Sequence, residues 1–173
     1  GKIEGAEALL RWTHPERGPI SPDNMVHLAE RTGLISKLTF WVFHTAMRQC
    51  AEYRNAGLNI GVSVNLSAQN LNEPDLIDIV TQVLNLWNVP TDQVIIEITE
   101  TAIMNDHLLS DKILSQFKEM GLQIAMDDFG TGYSSLALLH KLPIDKIKID
   151  KSFILDMLEK PENEQIVDSI ISL

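Results

Sequence analysis

Six side chains in this sequence could do chemistry together: Glu7, Asn65, Glu97, Asp127, Asp128 and Lys148. Most lie on the polar phase of a segment that alternates like a strand, near its C-terminal end. In residues 5–12, Ala6, Ala8 and Leu10 alternate with Glu7, Leu9 and Arg11; in 59–67, Val62, Val64 and Leu66 oppose Ser63, Asn65 and Ser67. Further on, Val94, Ile96 and Ile98 oppose Ile95, Glu97 and Thr99, and Ile124 and Met126 oppose Ala125 and Asp127. Last, Ile147 and Ile149 oppose Lys146, Lys148 and Asp150. Any one such phase could simply face water. Five in succession, with intervening helices that need the apolar faces, point the polar phase into an enclosed lumen. Carboxylates gathered there without a counter-ion would be very costly, and a divalent cation removes that cost. Carboxylates and one amide oxygen, with no His or Cys, form a hard-oxygen set suited to Mg²⁺ or Mn²⁺ rather than Zn²⁺.

The elements that must position these groups alternate between strand and helix. Residues 2–12 read as extended, 22–31 as a helix ended by Gly33, and 36–55 as a longer helix stopped at Gly57. Then come a strand at 59–66, a helix at 73–87, a strand at 93–99 and a helix at 107–120 stopped by Gly121. A strand at 122–126, a short helix at 134–140, a strand at 146–149 and a helix from Pro161 complete the order. Such β–α alternation predicts an α/β fold with a parallel sheet and helical crossovers. About five strands are too few for a closed (β/α)₈ barrel, which predicts an incomplete barrel in one compact unit over 1–173.

Composition excludes more than it selects. Fourteen Lys and Arg against 24 Asp and Glu give a net charge of −10, which argues against binding DNA, RNA or an anionic membrane surface. A small anionic ligand stays possible because a bound metal inverts the local field. No apolar run reaches the roughly 18 residues of a membrane span, and no signal peptide opens the chain. The single cysteine, Cys50, shares a helix with Ala46 and Met47, and reads as a small buried hydrophobe in a reducing compartment. The five histidines, 14, 27, 44, 107 and 140, lack metal-ligand spacing.

Glu7-Ala8-Leu9 followed by Leu10-Arg11-Trp12 opens a series of blocks continued by Asn65-Leu66-Ser67 and Glu97-Ile98-Thr99-Glu100. The run from Asp127-Asp128-Phe129-Gly130-Thr131-Gly132 through Tyr133-Ser134-Ser135-Leu136 follows, then Leu142-Pro143-Ile144-Asp145 and Lys148-Ile149-Asp150. On these blocks, in order and with matching spacing, the chain resembles the EAL domain family of cyclic di-GMP phosphodiesterases over nearly its whole length. The resemblance implies a TIM-barrel-like fold whose first strand is antiparallel, and hydrolysis of cyclic di-GMP to linear pGpG.

Carried over residue by residue, it implies that Glu7, Asn65, Glu97 and Asp127 hold one metal. Asp127 bridges to a second metal, which Asp128 also binds. Lys148 orients or activates the attacking water, so that Lys148, Glu7 and Asp127 form the catalytic group. Arg11 and Asp145 are expected to bind substrate, with the Arg11 guanidinium on a phosphate. Glu100 is expected to steady the loop at 130–135, including Gly130 and Ser134, which couples to dimerisation. Two cations about 3.5–4 Å apart would supply hydroxide near neutral pH and neutralise phosphate charge during displacement of the ribose 3′-oxygen.

The family pattern also includes a Gln-Pro-Ile-Val strand ahead of Gly1, and an Ala-Glu-Gly-Val-Glu block and a glutamine strand beyond Leu173. The chain therefore reads as part of the domain, with a nearly complete first-metal set and an incomplete second. The expected setting is a cytoplasmic homodimer. A sensor or GGDEF domain elsewhere in the parent chain, and an inner-membrane anchor, are compatible with it. Two rival readings are a receptor that binds cyclic di-GMP without cleaving it and a regulatory module with no ligand. Blander roles for single residues also stand: Asn65 and Ser67 as a turn and helix cap, Asp128 as a helix cap, and Lys148 in an ion pair with Asp145 or Asp150.

Overall fold

A computed structural model describes residue 3 and residues 5–131, 139, 141–155, 157 and 160–172. Its centre is a five-stranded sheet, all of whose neighbours are parallel, curled into a half-barrel. The strands are Gly5–Ala8 (β1), Gly61–Leu66 (β4), Val94–Thr99 (β5), Gln123–Phe129 (β6) and Lys146–Ile149 (β7). Two further strands, Trp12–His14 (β2) and Gly18–Ile20 (β3), form a separate antiparallel hairpin. The helices are Pro22–Arg31 (α1), Ile35–Asn55 (α2), Leu76–Trp87 (α3), Glu100–Asn105 (α4) and His107–Glu119 (α5). Lys151–Leu155 (α6) and Pro161–Ile171 (α7) follow β7. Among the described residues no helix is long and apolar enough to cross a membrane.

Alternation in the strands decides which face is covered. Val62, Val64 and Leu66, Val94, Ile96 and Ile98, and Ile124 and Met126 are all buried with Phe43, Met47 and Cys50 of α2 and Leu114 and Phe117 of α5. Each such side chain contributes about 1.5–3 kcal/mol when removed from water, so a register that turned this phase to the lumen could not compete. The opposite phase, carrying Glu7, Asn65, Glu97, Asp127 and Lys148, is left to the concave side. Cys50 is fully buried, as its helical neighbours imply.

Several boundaries differ from the sequence reading for identifiable reasons. The extended stretch at 2–12 is interrupted: β1 ends at Ala8, and Trp12 belongs to the hairpin, whose turn ends at Gly18 with φ +71°. Helix α3 begins at Leu76 rather than 73, because Pro74 forces Glu73 into extended backbone (ψ 119°) after a 3₁₀ turn at Asn70–Asn72. The unanticipated α4 is capped by Thr99, whose Oγ1 accepts the Ala102 N–H at 3.3 Å. Strand β6 runs three residues past Met126 and so carries the Asp pair itself. The short helix expected at 134–140 falls outside the described residues, Leu139 excepted.

Asp145 does not reach the site end of the sheet. It precedes β7, beside the start of β6, where it accepts the Ile124 N–H at 2.8 Å and pairs with Lys118 at 2.6 Å. Its role is thus an anchor between α5, β6 and β7, and the substrate-binding expectation is corrected. Partial burial opposes ionisation of Asp145, but the Lys118 and Ile124 bonds outweigh it and hold the carboxyl below its ordinary range. A depressed carboxyl contributes stability above its unfolded value and loses it as pH falls through the folded value. Asp145→Ala should therefore lower unfolding stability by about 1–2 kcal/mol at pH 7. In urea titrations that difference should shrink as pH drops below 3.8, the ordinary Asp value. A gap that persists unchanged at low pH would contradict this ionic account.

Candidate metal centre

The five parallel strands end on one rim, and their register brings the polar phases into contact there. Asn65 pairs with Glu97 across β4 and β5, Glu97 with Ala125 across β5 and β6, and Asp127 with Thr99. Glu7 stands opposite Ser63, two residues before Asn65. The Asn65 Nδ2 donates to Glu7 Oε1 at 2.9 Å, which leaves its carbonyl oxygen available to another partner. One carboxylate oxygen each from Glu7, Glu97 and Asp127 lies within 4.8 Å of the others. The ammonium of Lys148 sits among them, 2.7 Å from Glu97, 2.9 Å from Asp127 and 3.7 Å from Glu7. Thus Lys148 pairs with three strands of the rim and not with Asp145 or Asp150.

The charges perturb one another. Glu97 is 4% exposed. Burial raises its pKa and the charge of Glu7 adds to this, while hydrogen bonding and attraction from Lys148 pull the other way. Burial also works against the charge on Lys148, but its bonds to Glu97 and Asp127 prevail and hold it ionised well above the ordinary lysine range. It is therefore a cation and hydrogen-bond donor to Glu97 and Asp127 at this rim. Three carboxylates around a cation, all hard oxygen donors with an amide oxygen beside them, suit Mg²⁺ or Mn²⁺. The residues present fit such an ion.

Asp128 forms a second acidic position. Its φ of +54° is left-handed backbone, which Asp tolerates better than most residues. The twist separates its side chain from that of Asp127, whose Oδ1 accepts the Asp128 N–H at 3.0 Å. The Asp128 carboxyl is raised by burial, then by the charges of Asp127 and Asp150, and it hydrogen-bonds to Asp150. The sequence offers Asp150 only as an ion-pair partner for Lys148, and the structure sets it against Asp128 instead. Its signal was present, since it stands two residues after Lys148 on the same strand phase.

The remaining expected residues divide. The Glu100 carboxylate, 1% exposed, accepts the Gly130 N–H at 2.9 Å and so grips the chain two residues beyond Asp128. Gly130 has φ +99°, and a Cβ there would lie 2.8 Å from the Phe153 ring of α6, so only glycine fits. Ser134 lies outside the described residues. Arg11 is exposed, donates to the Leu10 carbonyl at 2.9 Å and lines a groove with Trp12, Leu28 and Trp41. A cleft of about 730 Å³ opens at the rim between Asn65, Asp127, Asp128 and Lys151, and runs beneath α1 to Leu38 and Val42.

Strand ends that gather acidic and amide groups on the C-terminal rim of an incomplete (β/α) barrel define a TIM-barrel-type α/β protein with a cation-suited mouth. The chain belongs to the EAL domain family, whose model matches residues 1–173. It is 38% identical over 173 residues to the cyclic di-GMP phosphodiesterase PdeR of Escherichia coli (strain K12), covering 100% of this chain and 26% of that protein. It is 40% identical to the bifunctional diguanylate cyclase/cyclic di-GMP phosphodiesterase MucR of Pseudomonas aeruginosa, covering 100% of this chain and 25% of MucR. A solved complex of the MucR phosphodiesterase with c-di-GMP superposes with a TM-score of 0.95 at 40% identity, over 99% of this chain and 70% of that one. The chain thus spans about a quarter of the length of these curated relatives.

The single positive charge of Lys148 offsets part of the charge of the three carboxylates and so opposes entry of a divalent ion. Lys148→Met should lower the thermal midpoint in chelator and tighten Mn²⁺ binding by about tenfold. Calorimetric Mn²⁺ titration reads this directly, and equal affinities would show that the ammonium and the ion do not compete.

Proposed function

We propose that the protein carrying this chain hydrolyses cyclic di-GMP to linear pGpG in a Mg²⁺- or Mn²⁺-dependent reaction. The observation that carries the reading is the convergence of Glu7, Glu97 and Asp127 oxygens within 4.8 Å at one rim. The names of its relatives as cyclic di-GMP phosphodiesterases support the choice of substrate.

In this reading Glu7, Asn65, Glu97 and Asp127 hold one divalent ion, and Asp127 and Asp128 serve a second. A bound pair of ions supplies Lewis acidity, making water a nucleophile near neutral pH and neutralising charge on the phosphate. Lys148 donates a hydrogen bond to the attacking water and orients it. The new bond joins the water oxygen to phosphorus, and the bond from phosphorus to the ribose 3′-oxygen breaks, the leaving oxygen taking up a proton. Arg11 lines the neighbouring groove with Trp12, and its guanidinium would meet a phosphate of the substrate. Glu100 and Gly130 keep Asp128 in its left-handed conformation, giving the segment after the Asp pair a route to regulate the second ion. Assembly as a homodimer and a GGDEF or sensor domain in the parent chain belong to the same proposal.

Glu7→Ala in the full-length protein should abolish Mn²⁺ binding at the first position and reduce pGpG formation by at least about a thousandfold. Chromatography of cyclic di-GMP incubated with Mg²⁺ or Mn²⁺ reads the second quantity. Turnover that survives in Glu7→Ala removes the role assigned to Glu7. Tight binding of cyclic di-GMP by the unmutated protein without any pGpG would establish a receptor instead.

A further inference from the structure

Four polar side chains are buried among the described residues: Asn70, Glu97, Glu100 and Ser110. Glu97 and Glu100 belong to the rim, and Ser110 donates to the Ile103 carbonyl within its own helical pair. Asn70 remains, 1% exposed, on the wall of the rim cleft and outside every role assigned above. Its Oδ1 accepts two bonds, one from the Ser67 N–H at 3.0 Å and one from the Thr39 hydroxyl of α2 at 3.0 Å. The Asn70 N–H returns a bond to the Ser67 carbonyl at 3.0 Å, so the turn at 67–70 is closed from both sides. Its Nδ2 has no partner.

Ser67 lies two residues after Asn65, where β4 leaves the sheet. The Asn65 amide must hold one orientation to donate to Glu7 while presenting its oxygen to an ion. Backbone freedom at 66–67 would let the strand end fray and the amide swing. The Asn70 oxygen removes that freedom by tying Ser67 to α2, an element anchored in the core by Phe43 and Met47. We infer that Asn70 is a positioning residue for the ion site, acting through Ser67 to fix the Asn65 amide. This rests on the cation-dependent reading above and extends it to a residue whose acceptor oxygen alone is needed.

That last point makes the test sharp. Asn70→Leu is close in shape, removes the acceptor and leaves the Ser67 N–H unpaired. Asn70→Asp keeps an acceptor oxygen in the same place and exchanges the unpartnered amide nitrogen for a second oxygen, bringing a carboxyl whose charge the Ser67 N–H and the Thr39 hydroxyl help to stabilise. Outer partners of metal ligands typically set affinity by 10–100-fold. Calorimetric titration of the full-length protein with Mn²⁺ should show binding weakened about tenfold in Asn70→Leu and returned to within about threefold of the unmutated value in Asn70→Asp. Turnover in Asn70→Leu should recover with excess Mn²⁺, a rescue that a purely structural lesion would not give. If Asn70→Leu does not fold, Thr39→Val, which deletes one of the two donors, should weaken Mn²⁺ binding in the same direction. Unchanged Mn²⁺ affinity in Asn70→Leu, or in Thr39→Val where that variant replaces it, overturns the inference, as does equal loss in Asn70→Leu and Asn70→Asp. Absence of Mn²⁺ binding by the unmutated protein would instead overturn the cation-dependent reading, and this inference with it.

Discussion

Like charges brought to one rim must be balanced, and that requirement organises this end of the molecule. Glu7, Glu97 and Asp127 come from three strands and approach closely enough to repel strongly. Lys148, delivered by a fourth strand, answers them with bonds of 2.7 and 2.9 Å to Glu97 and Asp127. Because ionic bonds in a half-buried setting depend on distance, the balance holds only if the strand register is kept. The covered face of the sheet supplies that register. A one-residue slip would carry Val64, Ile96 and Ile124 out of the core, so hydrophobic burial on one side enforces charge geometry on the other.

The same oxygens that meet the ammonium are hard donors suited to a divalent ion. An ammonium stabilises the carboxylates with one charge and a few directed bonds, whereas a divalent ion offers twice the charge to the same oxygens. Asp128 adds a second acidic position whose ionisation is disfavoured by burial and by the charges of Asp127 and Asp150, while hydrogen bonds from Ser152 favour the charged form of Asp150. Left-handed backbone at Asp128 and Gly130 is what splits the two acidic positions, and the Glu100 carboxylate and the Phe153 ring hold that bend in place.

Membership of the EAL domain family rests on the whole chain. Physical chemistry adds which parts are interchangeable. Glu7 and Asn65 share a hydrogen bond and work as a unit, so losing either changes the donor set by more than one atom. Asp145, although it lies in one of the recognisable blocks, serves the far end of the sheet, where Lys118 and the Ile124 amide occupy it.

Alternation in five segments was enough to foresee a parallel sheet, its covered face and the polar phase that holds Glu7, Asn65, Glu97, Asp127 and Lys148, because strand side chains obey a period of two whatever surrounds them. Pro74 and Thr99 carry local signals of the same kind, the proline setting the start of α3 and the threonine capping α4. What residue order could not express was partnership across the chain. That Lys148 would choose Glu97 and Asp127 over nearby Asp145 and Asp150, or that Asn70 would join Ser67 to Thr39, depends on distances fixed by the curl of the sheet and the seat of α2. Local pattern sets which face a side chain takes; only packing between elements remote in sequence sets which neighbours it meets there.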